Sequence, residues 1–206
     1  MLQYNLLIVL LMVIQGFAKD IHYTAKGPSF YAKHIFADLV EEDIDGFIDD
    51  IKENVFLGTG IVPLASKEYF RIAALMAPDV MPVDMINFMI LKAFVDKVRE
   101  IIKGIEAPTR GANSLLDSIG EHMDKMSGLI FRQLTQGALN EAENFKKEDC
   151  EGCAEKAVDR AKAELAKIDY DKVAATVAGY SNQCAAMCED NEEDLLEKLS
   201  KKLGVM

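Results

Sequence analysis

Hydrophobic residues in the second half of this chain recur at the spacing of an α-helix. After Pro108 they step by fours and threes, which places them on one stripe of a single long helix. The stripe comprises Leu115, Ile119, Met123, Met126, Ile130, Leu134, Ala138, Ala142 and Phe145. No segment alternates apolar and polar residues for long enough to predict a β-strand. The pattern therefore predicts an all-α fold in the form of an antiparallel helical bundle.

Prolines and glycines predict shorter helices in the first half. All five prolines lie within the first 108 residues. One helix is predicted to begin with Ser66 as its N-cap and to end before Pro78. The next covers Val83 to Lys103 and stops at Gly104. Its first half, MINFMILKAFV, is apolar on nearly every side, and such a helix is buried in protein or lies against a ligand or a membrane.

The N-terminal residues have the pattern of a secretory signal peptide. Leu6 to Ile14 is an unbroken apolar run of nine residues, followed by small residues at Gly16 and Ala18. We expect cleavage after Ala18, which leaves one secreted, extracellular helical domain over residues 19–206. A membrane anchor is disfavoured because the run is shorter than the roughly 20 residues that span a bilayer. A buried core helix is the other alternative, although it would start the protein with an apolar segment that lacks a cap.

The formal net charge of −11 narrows the range of partners. It disfavours nucleic acid and anionic membrane surfaces as electrostatic partners. The three histidines, His22, His34 and His122, are isolated in the sequence, and no catalytic or phosphate-binding motif accompanies them. We therefore expect no catalytic residue, no cofactor and no metal site, and a protein that is not an enzyme.

The acidic segment EEDIDGFIDDIKE, residues 41–53, matches a calcium-binding loop in part. With Gly46 at the sixth place, Glu41, Asp43 and Asp45 occupy the first, third and fifth places. The twelfth place needs a bidentate glutamate and holds Lys52. The favoured interpretation is an amphipathic acidic helix. Its inward residues would be Ile44, Phe47 or Ile48, Ile51 and Val55.

Four cysteines occur as two close pairs, Cys150 with Cys153 and Cys184 with Cys188. Two helical stretches between them are separated by a turn near Asp169, which predicts a helical hairpin over residues 149–190. Folding about that turn sets Cys153 opposite Cys184 and Cys150 opposite Cys188, and we expect these two disulfides. The crossed pairing would misalign each bond by about one helical turn, roughly 5 Å. A zinc site is disfavoured because a signal sequence predicts an oxidising compartment, and a redox motif because no βαβ unit is predicted.

Methionine and phenylalanine are concentrated in the apolar helix and on the long stripe. Methionine fills irregular gaps in ordinary cores, but its flexible side chain also suits a deformable binding cavity. We predict that the protein carries a hydrophobic small molecule, such as a fatty acid or similar lipid. The predicted lining residues are Met85, Phe88, Met89, Phe94, Met123, Met126 and Ile130. The alternative is a non-enzymatic extracellular interaction or structural protein that binds another protein through its acidic helical surface.

Overall fold

Every regular element in the described part of the chain is helical. The computed structural model describes residues 1–26, 30–81 and 84–144, with four further positions between 159 and 167. The α-helices within these residues are α1 Leu2–Thr24, α2 Phe30–Glu41, α3 Ile44–Ile51, α4 Ser66–Met76, α5 Asp84–Lys103 and α6 Arg110–Asn144. A π-helical turn, Lys52–Leu57, continues directly from α3. These ranges contain no β-strand, so the all-α prediction is confirmed.

Helix α1 is the centre around which other helices pack. It contacts α2, α3, α4 and α5, and its five consecutive residues from Leu7 to Leu11 are fully buried. Successive side chains are about 100° apart on a helix, so five in a row cover its whole circumference. The sequence pattern predicts such enclosure for α5, which instead keeps one partly exposed stripe of Met85, Met89 and Lys92.

Helix α1 also contains the segment predicted to be a signal peptide. By length and composition alone it is the one helix among the described residues that could cross a bilayer, and 56% of its most apolar window is buried in the fold. A signal sequence, a membrane span and a core helix all satisfy that test. Cleavage after Ala18 would remove most of this central helix. The signal peptide therefore stays a prediction, and the fold described is that of the intact chain.

Helix α4 has nearly the ends that its sequence predicts. It stops at Met76 because Ala77, which precedes Pro78, is extended. Its N-cap is Ala65, so Ser66 is the first helical residue and not the predicted cap.

The connection between α5 and α6 is also set by local signals. The Gly104 N–H donates to the Ile101 carbonyl oxygen at 2.9 Å, which closes the last turn of α5. The hydroxyl of Thr109 accepts a hydrogen bond from the Ala112 N–H at 3.1 Å and caps the start of α6. The Gly104 carbonyl oxygen also accepts a hydrogen bond from Gln3 Nε2 at 3.1 Å, so α1 contacts the same end of α5.

The segment considered as a calcium loop forms α3 and the π-helical turn. Ile44, Ile48, Ile51 and Val55 are buried, and Phe47 is partly buried against the same core. This is the amphipathic helix favoured by the sequence. Glu41 is the last residue of α2 and residues 42 and 43 form a turn, so the segment is continuously helical only from Ile44 onward.

The long helix α6 confirms the predicted stripe as far as its side chains are described. Residues Leu115, Ile119, Met123, Met126 and Ile130 are buried, and α6 packs on α5 and α3. The four cysteines, and nearly all of the predicted hairpin 149–190, lie outside the described residues.

Candidate metal centre

Three side chains with metal-binding chemistry meet where α1 ends and α2 begins. His22 lies in the last turn of α1, and His34 and Asp38 are four residues apart on one face of α2. One ligand atom from each side chain lies within 4.8 Å of the other two. His22 and His34, which are isolated in the sequence, are therefore neighbours in the fold.

A reversal of chain direction brings these residues together. Three polar pairs join the two arms: His22 with Asp38 at 2.5 Å, Lys19 with Glu41 at 3.2 Å, and Gln15 with Asp45 at 2.7 Å. Residue numbers fall along α1 as they rise along α2 and α3, so the two arms run in opposite directions. Each pair is about one helical turn from the next, and together they fix the register of α1 against α2.

The two imidazole rings are stacked, and each is oriented by the backbone of the other residue. Their centroids are 3.5 Å apart and their planes are inclined by 34°. His34 Nδ1 lies 3.1 Å from the His22 carbonyl oxygen, and His22 Nδ1 lies 3.3 Å from the His34 carbonyl oxygen. A metal-bound histidine commonly donates its other ring N–H to such a carbonyl, which fixes its tautomer. His22 Nδ1 also lies 2.5 Å from Asp38 Oδ1, so its N–H is shared between the His34 carbonyl and the Asp38 carboxylate. With Nδ1 protonated, Nε2 of each ring has the lone pair that a metal needs, and Asp38 would offer the ion its other carboxylate oxygen.

The Asp38 carboxylate adds a negatively charged oxygen ligand to the two nitrogens. Its side chain is 50% exposed, whereas that of His22 is 15% exposed. The cluster can therefore be reached from solvent on the carboxylate side while the His22 ring is held in place by its neighbours.

Two aromatic rings lie beside the imidazoles. Tyr23 is edge-on to His22 with centroids 4.9 Å apart, and the Phe30 ring lies 5.2 Å from His34. Tyr23 is 75% exposed and Phe30 is 44% exposed, so both rings lie at the surface next to the cluster. Two imidazoles and one carboxylate suit divalent transition metals such as Fe(II) and Zn²⁺, and three protein ligands leave coordination positions open.

The third histidine lies elsewhere, between α6 and the turn that joins α2 to α3. His122 Nδ1 is 3.2 Å from Asp43 Oδ2, and its ring is edge-on to Phe47 at 5.3 Å. Burial lowers the pKa of His122 below its usual value. Among the described residues, the His22 cluster alone brings three potential metal ligands together.

The residues predicted to line a lipid cavity lie in the α5–α6 part of the core. Phe88, Phe94, Met123, Met126 and Ile130 are buried, and Met85 and Met89 are partly buried at the edge. All seven belong to or pack against one hydrophobic cluster. Phe88 also reaches Phe36 of α2, with ring centroids 5.6 Å apart. All seven residues thus belong to the general hydrophobic core, and their burial is that of packed core residues.

Sequence reasoning misses His22, His34 and Asp38 as a site. The available signal is the four-residue spacing of His34 and Asp38, which puts both on one face of a helix. That signal is weak without the third ligand, which comes from a different helix. Assigning residues 1–18 to a signal peptide also leaves His22 near a free terminus, where no partner helix is expected.

No protein-family model, curated protein or solved structure matches this chain. A proposal of function therefore depends on the geometry and chemistry of the site itself.

Proposed function

We propose that this protein binds a divalent transition metal such as Fe(II) through His22, His34 and Asp38. The observation that supports the proposal is the convergence of two imidazoles and one carboxylate within 4.8 Å, from two helices. Two histidines and one carboxylate with open positions are the ligand set of non-haem Fe(II) sites. Metal sites in helical proteins are commonly built from side chains on facing helices.

Because three protein ligands leave coordination positions open, a metal ion bound at the proposed site could also react with dioxygen. An Fe(II) ion held by His22, His34 and Asp38 would supply one-electron chemistry toward dioxygen, each Fe(II) losing one electron to give Fe(III) and superoxide. The negative charge of Asp38 favours the more highly charged Fe(III). Oxidation of Fe(II) by dioxygen is therefore the proposed reaction. This proposal departs from the sequence-based expectation that the protein is not an enzyme, and the assay below decides between them.

The charge of the chain favours a cationic ligand. Its net charge is −11, and the arm that holds Asp38 continues into Glu41, Glu42 and Asp43. A negative field raises the local concentration of cations and speeds their association. Zn²⁺ suits the same donors and binds more tightly than Fe(II) in the general affinity order, so both ions belong in the test.

Anaerobic calorimetric titration of Fe(II) tests the site. The samples are the unaltered protein, His34→Ala, Asp38→Asn and the control Asp117→Asn, which removes an exposed carboxylate on α6 far along the chain. We expect the unaltered protein and the control to bind alike, and both ligand variants to bind at least about 10-fold more weakly. Equal binding by all four proteins would exclude the site. A parallel Zn²⁺ titration measures its selectivity.

Admission of dioxygen to the Fe(II)-loaded samples tests the reaction. The ultraviolet absorbance of Fe(III) should grow faster with the unaltered protein and Asp117→Asn than with Asp38→Asn or with buffer alone. Tight binding without faster oxidation would leave a metal site and refute the proposed reaction.

Carriage of a hydrophobic small molecule is a second proposal, at the α5–α6 interface. It is supported by the convergence of Phe88, Met123 and Met126 in one cluster, with Met89 partly exposed at the edge. Delipidated protein titrated with an environment-sensitive fluorescent fatty acid should give saturable enhancement. Met89→Ala should weaken it, whereas Leu75→Ala, at an exposed apolar position of α4, should not. Without saturable binding the carrier proposal fails, and an extracellular protein partner at the acidic surface becomes the alternative.

The finer architecture is also a proposal: an antiparallel helical bundle, extended by the disulfide-stapled hairpin 149–190. Secretion after cleavage at Ala18 is the alternative proposal to a protein that retains α1 as its central helix. The opposite directions of α1 and α2 support the bundle, and the cysteine spacing supports the hairpin. Peptide mapping without reduction should find Cys153 joined to Cys184 and Cys150 to Cys188. Four free thiols, or a stoichiometric zinc, would contradict that pairing.

A further inference from the structure

His122 lies apart from the candidate metal centre, in surroundings that suit only one of its protonation states. Its side chain is 9% exposed, and its Nε2 atom is buried with no hydrogen-bond partner. The other ring nitrogen, Nδ1, lies 3.2 Å from Asp43 Oδ2, and the backbone of Val40 also hydrogen-bonds the ring. The edge-on Phe47 ring covers a further side at 5.3 Å. The pocket therefore supplies a carboxylate acceptor to Nδ1 and leaves Nε2 buried without a hydrogen-bond partner.

We propose that His122 is an acid-sensitive latch that holds α6 against the turn between α2 and α3. The latch consists of His122, Asp43, Phe47 and the backbone of Val40. In the neutral ring Nδ1–H donates to Asp43, and the lone pair of Nε2 is buried without a donor. Protonation adds a second N–H at Nε2, where no acceptor lies. A buried charged donor without a partner is costly, so the protonated ring moves toward solvent and the contact opens.

The charged groups around the ring do not offset this cost. Asp43, in the turn between α2 and α3, favours the protonated ring, but it is 63% exposed and its charge is screened. Lys125, on α6 itself, disfavours the protonated ring, and α3 presents the apolar ring of Phe47. Burial, the largest effect, therefore lowers the pKa of His122, with Lys125 acting in the same direction and Asp43 and the Val40 backbone acting against it.

The latch lies between elements that otherwise pack through apolar side chains. Helix α6 reaches α3 and the π-helical turn on this side and α5 on the other. Opening the latch removes the polar tie on the α3 side and leaves the α5 side in place. The expected acid form therefore has α6 loosened locally, within an otherwise folded protein.

Amide hydrogen exchange of the full chain, measured from about pH 8 to about pH 5, tests the latch. After correction for the intrinsic pH dependence of exchange, peptides covering residues 40–47 and 118–126 should lose protection as the pH falls. The loss should reach up to about tenfold per pH unit, while α1 peptides in the same sample stay protected. His122→Met, which cannot titrate, should remove the pH dependence. An equal pH dependence in the variant would overturn the proposal.

Titration of the His122 ring by NMR in the unaltered protein gives an independent test that does not depend on the variant folding. We expect a midpoint below that of an exposed histidine. A midpoint at or above the ordinary value, near pH 6.5, would overturn the latch, because the buried site would then accept the charged ring.

Discussion

His22 Nδ1 lies 2.5 Å from Asp38 Oδ1, and this contact ties the last turn of α1 to α2. The same two arms are joined further along by Lys19 with Glu41 and by Gln15 with Asp45. Because three contacts join α1 to α2 and α3, the positions of the proposed ligand side chains are restricted before any ion binds. Binding then loses less free energy to the ordering of those side chains.

Metal should stabilise the folded protein through this centre. At a free metal concentration about 100 times the dissociation constant, Fe(II) or Zn²⁺ should add about 2.7 kcal/mol to the free energy of unfolding. Asp38→Asn should abolish most of that gain. It should change the stability of the metal-free protein little, since half of the Asp38 side chain is exposed and its ion pair is screened. Anaerobic thermal melts with and without metal measure both effects, and an equal rise in melting temperature for the variant would contradict the assignment.

Asp96 joins α5 to α6 and should contribute acid-dependent stability. It accepts hydrogen bonds from Ser127 Oγ at 2.8 Å, Arg99 Nη1 at 2.9 Å and Lys92 Nζ at 2.5 Å. Burial alone would raise the pKa of Asp96, but these three donors outweigh it, so the pKa is lowered. The resulting stability is complete above the unfolded pKa of about 3.9 and is lost as the pH falls through the lower folded value.

The test of this contact compares Asp96→Asn with Asp124→Asn. Asp96→Asn should lower the free energy of unfolding at neutral pH by about 1 kcal/mol, a modest value because the carboxylate is 38% exposed. It should also reduce the decrease in the free energy of unfolding that occurs as the pH falls below the ordinary pKa of an aspartate. Asp124 pairs with the same arginine but is 64% exposed, so its variant should cost less. Urea unfolding at several pH values decides between these outcomes, and equal losses for the two variants would show that the Ser127 and Lys92 contacts add nothing.

Helix positions were predictable because they depend on local signals. Pro78 stops α4, Gly104 stops α5, and the stripe from Leu115 to Ile130 follows from a period that any α-helix imposes. The predicted inward face of α3 follows from the same period. These features need no knowledge of where one helix lies relative to another.

The candidate site and the centre of the fold were not predictable in the same way. His22 contacts Asp38 only because the chain reverses direction between α1 and α2. The sequence pattern of neither helix predicts the angle of that reversal. The apolar run from Leu6 to Ile14 is equally suited to a signal peptide and to an enclosed helix, because both require uninterrupted hydrophobicity. Only the packing of other helices around α1 identifies it as the core of the described fold.

His122 predicts a second acid-sensitive contribution, in a higher pH range than that of Asp96. Its folded pKa is lowered by burial, so the unfolded chain takes up a proton first, at about pH 6.5. Stability should therefore be unaffected above that value and should fall with decreasing pH until the folded pKa is reached. His122→Met should remove this pH dependence of the free energy of unfolding and leave the contribution of Asp96 at lower pH unchanged. Free energies of unfolding measured from about pH 8 to about pH 5 test the sign, and a stability that rises on acidification would contradict it.

Residues 1–18 should be indispensable to the described fold. Leu7, Leu10, Leu11, Ile14 and Phe17 are all at most 1% exposed. Each buried side chain of this size contributes about 1.5–3 kcal/mol, and their sum approaches or exceeds the roughly 5–15 kcal/mol of net stability of a typical domain. A chain that begins at Lys19 should therefore show no cooperative thermal transition. Leu10→Ala should cost about 2–5 kcal/mol, whereas Leu2→Ala, at a partly exposed position of the same helix, should cost far less.

Cleavage after Ala18 and retention of α1 as the core helix predict different N-termini for the folded protein. If the protein is cleaved after Ala18, the intact mass of purified, folded material will correspond to a chain that starts at Lys19. If α1 is the core helix of the functional protein, folded material will retain residues 1–18, and the shortened chain will neither melt cooperatively nor bind Fe(II), since His22 would lose the helix that positions it. A chain starting at Lys19 that melts cooperatively and binds Fe(II) as tightly as the full chain would show that neither the fold nor the metal centre depends on α1.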